Sequence, residues 1–342
     1  NTINDSLIIF DSLDSEINFS GKIKITKSNH IFLENLSINN NSNVKLNLSG
    51  DLSERILNLN ITGSIIDLSA NKVEIKKKER KYYLNEENYS INTDEVIFAE
   101  SVRVNDFKAG IEKQGSTLTV NSRAFLMGHE LNYSREKNDN VDVNIINSSD
   151  ITHFVNDNHP AKKLLSDGEF KMTSIRDLNT QAADVKINLN DFVLINTPAS
   201  LKLLSLPSIS GLVSIAEGEE GIRFGYGEIN YVETENKFNE IEAFAVSDSL
   251  GLIMDGNIDR KEKIIDMKGE ISPMHLVNAI IQKLPILGPI IVGNEGEGMF
   301  SIDFLMTGSS DDPEVESNPL TIIKPRIIER AIEAIESGST IQ

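Results

Sequence analysis

Cysteine is absent from this chain of 342 residues. Without thiols the protein cannot form disulfide bonds, cannot use a thiolate nucleophile and cannot bind a metal ion through cysteine. The absence excludes those three chemistries. It leaves the cellular compartment open, because a chain without thiols behaves alike in oxidising and reducing surroundings.

Basic residues are in deficit. The chain has 33 Lys and Arg against 52 Asp and Glu, which gives a formal net charge of -19. A surface that binds nucleic acid needs clustered positive charge to release the counterions of the phosphates. The composition therefore predicts that nucleic acid is not a partner of this chain.

Long apolar runs are also missing. The longest, residues 284–292, is interrupted by Pro285, Gly288 and Pro289, and it falls short of the ~18 residues of a membrane helix. The chain opens on Asn1, with neither an initiator methionine nor the charged and apolar segments of a signal peptide. We therefore expect a fragment or a processed product of a longer protein, with any anchor or export signal lying upstream.

The dominant pattern in the chain is alternation of apolar and polar residues with a period of two, most clearly in residues 1–150. Apolar residues take one face and Asn, Lys, Ser or Asp the other, which is typical of half-buried antiparallel strands. Short polar turns between them favour hairpins and meanders over crossover helices. We therefore predict a first region, 1–150, of repetitive β-strands. Examples are Val44/Leu46/Leu48, Leu57/Leu59/Ile61, Leu118/Val120 and Val141/Val143/Ile145.

One hairpin pattern occurs twice. Gly50 and Gly63 lie 13 residues apart around a charged turn and an alternating strand, and Gly256 and Gly269 repeat that arrangement at the same spacing. Reuse of one hairpin type favours a long repetitive sheet over two unrelated domains.

The second region, residues 151–342, is predicted to contain a few short helices, because proline or a capping residue marks an end of each. Ser272 can cap, and Pro273 can open, a helix that ends at Lys283. The apolar knuckle of residues 284–292 and a strand over 298–308 follow it. The other helices are expected within residues 151–167, 198–206 and 325–336.

Residues with catalytic or metal-binding chemistry form no recognisable pattern. The five histidines are scattered, without the spacing of a metal site. Neither a nucleophile elbow nor a phosphate-binding loop occurs, and residues 293–298 read as a tight acidic turn. We therefore predict a protein that is not an enzyme and uses no metal or cofactor.

The apolar strand faces have two interpretations. They are either the core of a closed sandwich, or the face of one long curved sheet that covers lipid. About 18 strands spaced ~4.8 Å apart would make a sheet too long to stay flat, so it must split or curl into a trough. The residues that would line an apolar groove are Leu252, Met254, Ile265, Met267, Phe300, Ile302, Phe304 and Met306.

The C-terminal half carries a dense series of motifs that resembles the AsmA-like family, in its YhdP branch as found in alphaproteobacteria. The resemblance covers residues 165–325, and the first half agrees only in style. The motifs are residues 203–212 (LLSLPSISGL), 221–224 (GIRF), 250–259 (LGLIMDGNID), 269–273 (GEISP), Asn278, 284–289 (LPILGP), 296–298 (GEG), Gly308, 312–313 (DP) and 318–320 (NPL).

This resemblance implies a bridge-like lipid transporter of the Gram-negative envelope. Its expected fold is a long, curved antiparallel β-sheet, a taco-like trough whose apolar groove passes phospholipid acyl chains between the inner and outer membranes. The protein would project into the periplasm from an N-terminal anchor in the inner membrane and could meet other envelope proteins. It implies no individual lipid contact.

The knuckle and the C-terminus leave alternatives open. The knuckle either plugs the groove end, touches a membrane or packs on the sheet, and its candidate contacts are Leu284, Ile286, Leu287, Ile290 and Ile291. After Leu320 the chain departs from the family pattern, which leaves the role of its last helix undecided. The alternative function is a structural or adhesin-like β protein with a closed apolar core.

Overall fold

A computed structural model describes eleven parts of the chain, and within them the protein is mainly β with no helix. The described residues are 6–13, 17–26 with 28, 30–40, 44–68, 84–99, 102–152, 165–195, 221–247, 250–273 and 301–321. The helices predicted within 198–206 and 325–336 lie outside these residues, as does nearly all of the helix predicted from Pro273.

The chain divides into two compact units, residues 1–149 and 150–342. Unit 1 contains β1 Ser6–Leu13, β2 Ile17–Ile25, β3 Ile31–Asn40, β4 Val44–Ser53, β5 Ile56–Asp67, β6 Glu86–Ala99, β7 Val102–Gln114, β8 Thr117–Leu126, β9 His129–Lys137 and β10 Val141–Ser148. Unit 2 contains β11 Leu165–Ser166, β12 Glu169–Asp177, β13 Ala183–Ile195, β14 Gly221–Glu233, β15 Lys237–Val246, β16 Leu250–Asp259, β17 Ile264–Pro273, β18 Ser301–Ser309 and β19 Asp312–Thr321.

Unit 1 is a meander in which each strand pairs with the next along the chain. Among its described strands, every pairing is antiparallel except that of β5 with β6, which runs parallel from Ile56 opposite Glu86 to Asp67 opposite Ile97. The sequence favoured hairpins and meanders over crossovers, and this one pair departs from that expectation. Parallel neighbours need a connection that returns along the sheet; the chain between these two strands lies largely outside the described residues.

Unit 2 is also an antiparallel meander. From β12 to β19 each strand pairs with the next, and the short β11 pairs with β13. The sheet is also open. The prediction of a mainly β chain built on a long antiparallel sheet is confirmed.

The predicted start of the helix at Ser272 was wrong. Ser272 and Pro273 end strand β17, where they pair with Gly251 and Leu250. The Ser272 hydroxyl, which would have capped a helix, instead donates to the Glu270 carboxylate at 3.1 Å. Ser272 and Pro273 are therefore still part of the sheet at the point where the helix was predicted to begin.

The repeated glycine pattern corresponds to two antiparallel hairpins, β4–β5 and β16–β17. Gly50 pairs with Leu59, and Gly269 pairs with Met254. A side chain on Gly269 would collide with the Phe304 ring and with the Ile253 carbonyl oxygen, so the close approach of neighbouring strands requires glycine there. Both glycine pairs therefore mark antiparallel hairpins, but their turns differ: β4–β5 closes with two residues, 54–55, and β16–β17 with four, 260–263.

Three strands carry a β-bulge at a residue with positive φ. These are Asn35 in β3, Asp106 in β7 and Glu240 in β15, with φ of 49°, 51° and 52°. Each lies where the register with a neighbouring strand shifts. A bulge bends its strand and increases the local twist, so these residues help to curve each unit's sheet.

Candidate functional site

The apolar face of unit 2 is built from rows of side chains that cross the strands. Residues directly opposite each other in an antiparallel pair point to the same face. Starting at Phe304 and moving from each residue to the one directly opposite it on the next strand defines one row across the eight strands β12–β19. None of these pairs lies at a register shift. The row is Met172, Ile187, Ile229, Ala243, Met254, Gly269, Phe304 and Ser317.

A second row lies beside the first, two residues further along each strand. It crosses β12–β18 and contains no polar side chain, whereas the first row is apolar up to Ser317 in β19. Its members are Phe170, Leu189, Gly227, Ala245, Leu252, Ile271 and Ile302. The two rows give unit 2 a continuous apolar band perpendicular to its strands.

On the other side of the first row lies an apolar cluster. Ile241, Met267 and Met306 form its buried centre. Half-buried neighbours pack around that centre and extend the apolar band towards the next row of the face. They include Ile229, Tyr231, Phe238, Met254, Ile258, Ile265 and Val315.

Seven of the eight predicted groove residues share this face, which we call the unit 2 apolar face. Register places them in neighbouring rows of β16, β17 and β18. The seven are Leu252, Met254, Ile265, Met267, Ile302, Phe304 and Met306. Phe300 lies outside the described residues, and so do the knuckle candidates Leu284, Ile286, Leu287, Ile290 and Ile291.

Burial differs across the predicted groove residues. Met267, Ile302, Phe304 and Met306 are between 2% and 5% exposed, so they are core side chains of unit 2. Leu252, Met254 and Ile265 are half-buried. The accessible ones among the predicted groove residues therefore lie on β16 and the first half of β17, and Met172, Ile187 and Ile229 of the same face are half-buried too.

The opposite face of the same strands is mostly polar towards the turns. Lys268 and Asp255 form an ion pair there at 3.1 Å, and Leu305 is 48% exposed. Towards the other strand ends this face is buried as well, at Ile253 and Glu270. Alternation thus gives one apolar face along the full length of the strands.

A charged cluster, which we call the charged rim, ends the apolar face of unit 2. Arg176 pairs with Ala183, which in turn pairs with Glu233, so these three side chains share the apolar face. The Glu233 carboxylate accepts from Arg176 at 3.0 Å and lies 3.2 Å from Arg260. The charged rim is Arg176, Glu233 and Arg260.

Two aromatic side chains border the charged rim. Tyr231 and Phe238 meet edge to face at 5.0 Å, and the Arg260 guanidinium lies 4.6 Å from the Phe238 ring centre. Burial raises the pKa of Tyr231 to about 12; the Glu233 carboxylate adds to the rise and Arg260 opposes it. The tyrosine therefore stays neutral at physiological pH.

Unit 1 has a comparable face made of half-buried rows. One runs through Leu36, Leu48, Ile61, Ile91, Ala109, Ser122, Tyr133 and Ile146. A neighbouring row is interrupted by an ion pair, in which Arg135 donates to Asp142 at 2.8 and 2.6 Å. Polar groups therefore enter this face towards β10.

Strand β10 presents its faces in the opposite sense to its neighbours. Lys137 pairs with both Leu118 and Asp142, so Asp142 shares the face of Leu118. Val141, Val143 and Ile145 therefore point away from it. Alternation alone found the strand but could not show which of its faces joins the apolar rows.

The reverse, polar face of unit 1 holds an open groove of about 750 Å³. Short amide and hydroxyl side chains line it, including Asn92, Asn121 and Asn132. Within the part of the chain that the structure describes, no group of three or more His, Asp or Glu side chains could hold a metal ion. The same residues contain no helix long and apolar enough to cross a membrane.

Sequence reasoning missed the share of β12–β15 in the apolar face. Val185, Ile187 and Leu189 do alternate in the sequence, but alternation within one strand says nothing about which strand lies beside it. It also missed the charged rim, because Arg176 and Glu233 are 57 residues apart and meet only through β13. The signal available in the sequence was the β-strand propensity of residues 169–195, which includes the alternating apolar residues just named.

Comparison of the chain with protein-family models, curated proteins and solved structures finds no match.

Proposed function

We propose that this chain is a segment of a non-enzymatic, periplasmic lipid conduit that helps to move phospholipids between the inner and outer membranes of a Gram-negative envelope. The observation that supports it is the pair of apolar rows through Met254 and Leu252, which cross seven or more strands of unit 2 without a polar side chain before Ser317. A path for acyl chains needs such continuity, because a break would expose methylenes to water.

The energetics favour sliding over tight binding. Shielding an acyl chain from water is worth about 0.8 kcal/mol for each methylene. Similar apolar side chains along a row give similar shielding at each step, so no position along the row traps the acyl chain. Such transport needs no catalytic group, cofactor or metal.

The resemblance of residues 165–325 to AsmA-like proteins of the YhdP branch supports the same proposal. On that basis the full-length protein would be held in the inner membrane by an anchor upstream of Asn1. Its partners would be phospholipid acyl chains and, in the envelope, further proteins.

A second candidate is a structural or adhesin-like β protein with a closed core. The near-complete burial of Met267, Ile302, Phe304 and Met306 favours it, since side chains that are 2% to 5% exposed contact protein on all sides. Native mass spectrometry after gentle purification separates the two. Co-purifying phospholipid supports the conduit, and a lipid-free mass supports the closed core.

A matched pair of substitutions tests the face itself. Met254→Glu places a charge on the half-buried part of the unit 2 apolar face, and we expect it to reduce bound phospholipid severalfold. Leu305→Glu adds the same charge at a 48% exposed position on the opposite face of β18 and should leave lipid loading unchanged. Equal lipid in both variants, each folded by circular dichroism, would contradict the groove assignment. Phe304 is too deeply buried for this test.

A further inference from the structure

The charged rim lies at a defined distance from the apolar rows. Arg176, Glu233 and Phe238 belong to one cross-strand row, which continues through Ile258 and Ile265 to Gly308. In β18 this row is six residues from the row of Ile302, and at ~3.3 Å per residue that is about 20 Å. One leaflet of a membrane has a hydrocarbon depth of about 15 Å, half of a ~30 Å core. One acyl chain therefore fits between the rim and the far row.

The charge balance of the rim is positive. Two guanidinium groups share one carboxylate, within a chain whose formal net charge is -19. The side chains of Arg176, Glu233 and Arg260 are 33%, 24% and 38% exposed, so an incoming group can reach them. The other charged pairs at these turns, Lys237–Asp259 and Lys263–Asp311, each balance one cation with one anion.

Donors remain on both arginines. Arg176 also donates to the Gln181 carbonyl at 2.7 Å, and Arg260 to the carbonyls of Thr234 and Glu235 at 2.7 and 2.8 Å. A guanidinium carries five N–H groups, so each arginine keeps donors beyond these bonds. Planar donor pairs of this kind match the oxygens of a phosphate group.

Resting on the proposed function, we infer that Arg176 and Arg260 bind the phosphate of an anionic phospholipid headgroup while its acyl chain lies on the unit 2 apolar face. Phe238 lies in the rim's own row and Tyr231 beside it, and both pack against the apolar cluster, where aromatic side chains suit a boundary between polar and apolar surroundings. Glu233 competes with the phosphate for both arginines. The rim thereby makes the conduit selective for lipids with net negative charge.

The test measures which lipids bind as well as how much. The protein is incubated with vesicles of equal parts phosphatidylglycerol and phosphatidylcholine, repurified, and its bound lipids are quantified by mass spectrometry. Arg176→Gln should lower the ratio of phosphatidylglycerol to phosphatidylcholine by about two- to fivefold, the effect expected of one half-exposed charge contact. Glu233→Gln should raise the ratio, because it removes the competing carboxylate.

Arg103→Gln is the matched control, since it removes the same charge from an exposed pair with Glu95 in unit 1. It should leave the ratio unchanged. Both rim variants keep Arg260 and its bonds to the β14–β15 turn, and their melting temperatures check the fold. An unchanged ratio in Arg176→Gln, or a lowered ratio in Glu233→Gln, overturns the headgroup site alone. Absence of lipid from the wild-type protein overturns the proposed function as well.

Discussion

Two polar groups on the apolar face of unit 1 affect its stability in opposite ways, because one lacks a hydrogen-bond partner and the other has one. Thr93 is 2% exposed, and its hydroxyl has no hydrogen-bond partner within the described part of the chain. A buried hydroxyl without a partner costs free energy, because it has given up its bonds to water. The ion pair of Arg135 and Asp142 on the same face has the opposite effect, since each charge satisfies the other.

Thr93→Val is expected to raise the free energy of unfolding by about 1 kcal/mol, because valine keeps the shape and removes the unsatisfied hydroxyl. Urea denaturation measures it. Thr117→Val is the control: Thr117 is exposed at the start of β8, so its replacement should change stability by less than about 0.5 kcal/mol. A loss of stability in Thr93→Val would mean that the hydroxyl is bonded in solution.

Asp142 gives a prediction with a pH dependence. The hydrogen bond from Arg135 lowers the pKa of this carboxyl below its ordinary value near 3.8, against the opposing effect of burial. A group with a lowered pKa in the folded state stabilises the protein above its unfolded pKa, and that contribution disappears as pH falls through the folded pKa. Asp142→Asn should therefore be less stable than wild type at pH 7, by about 1–2 kcal/mol.

The difference between the two proteins should begin to shrink as pH falls below about 4, where the carboxyl of the unfolded chain takes up its proton, and should disappear as pH falls through the lower pKa of the folded protein. Thermal melts of both proteins between pH 7 and pH 3 would show it. A difference that stays constant over this range would mean that the ion pair contributes nothing to stability.

Strands and turns show where glycine is required and where other residues tolerate its conformations. The β4–β5 hairpin closes with a two-residue loop, Glu54 and Arg55, whose φ angles of 49° and 68° define a type I′ turn. Neither residue type favours positive φ, whereas Asn-Gly does. The sequence marked this turn as charged, but its conformation is set by the twist of the two strands.

Glu54→Asn combined with Arg55→Gly is expected to stabilise unit 1 by about 1 kcal/mol, because both residues then suit left-handed backbone. The Arg55 carbonyl oxygen accepts from the Asn85 amide at 2.8 Å, a main-chain bond that the substitutions keep. Alanine at both positions removes the same side chains without relieving the strain, and should give no gain. The urea midpoints of the three proteins decide the outcome.

At the scale of the whole molecule, the faces of many strands combine into surfaces that no strand has alone. In unit 2 the rows through Met254 and Leu252 join strands separated by more than 100 residues of sequence. Because the chain has no cysteine, a single introduced cysteine reports on one position of such a surface.

Ile229→Cys and Met254→Cys, each labelled with a polarity-sensitive fluorophore, are expected to show a blue shift when phosphatidylglycerol vesicles are added, because both positions lie in one apolar row. Lys268→Cys carries the label on the opposite face of β17 and should show little shift. A response at Met254 without one at Ile229 would show that lipid occupies only part of the row. A similar shift at Lys268 would show binding without preference for a face.

The sequence by itself determined the β class, the main strands and the two glycine-marked hairpins. These features depend on local rules: alternation with period two follows from backbone geometry, and Gly50 and Gly269 mark places where strands come too close for a side chain. The sequence also predicted correctly that seven of the groove candidates lie on one face of their strands, because apolar residues alternate regularly in β16, β17 and β18. The tertiary structure then decided which faces join.

Register made those decisions, since a shift of one residue reverses every side chain of a strand. It turned Val143 away from the apolar rows and brought Arg176 to Glu233 across β13. The tertiary structure also made β5 and β6 parallel, and it buried Phe304 while leaving Met254 of the same row half-buried. Contacts between residues far apart in the chain depend on the strands that lie between them, and those strands find their places only when the sheet is assembled.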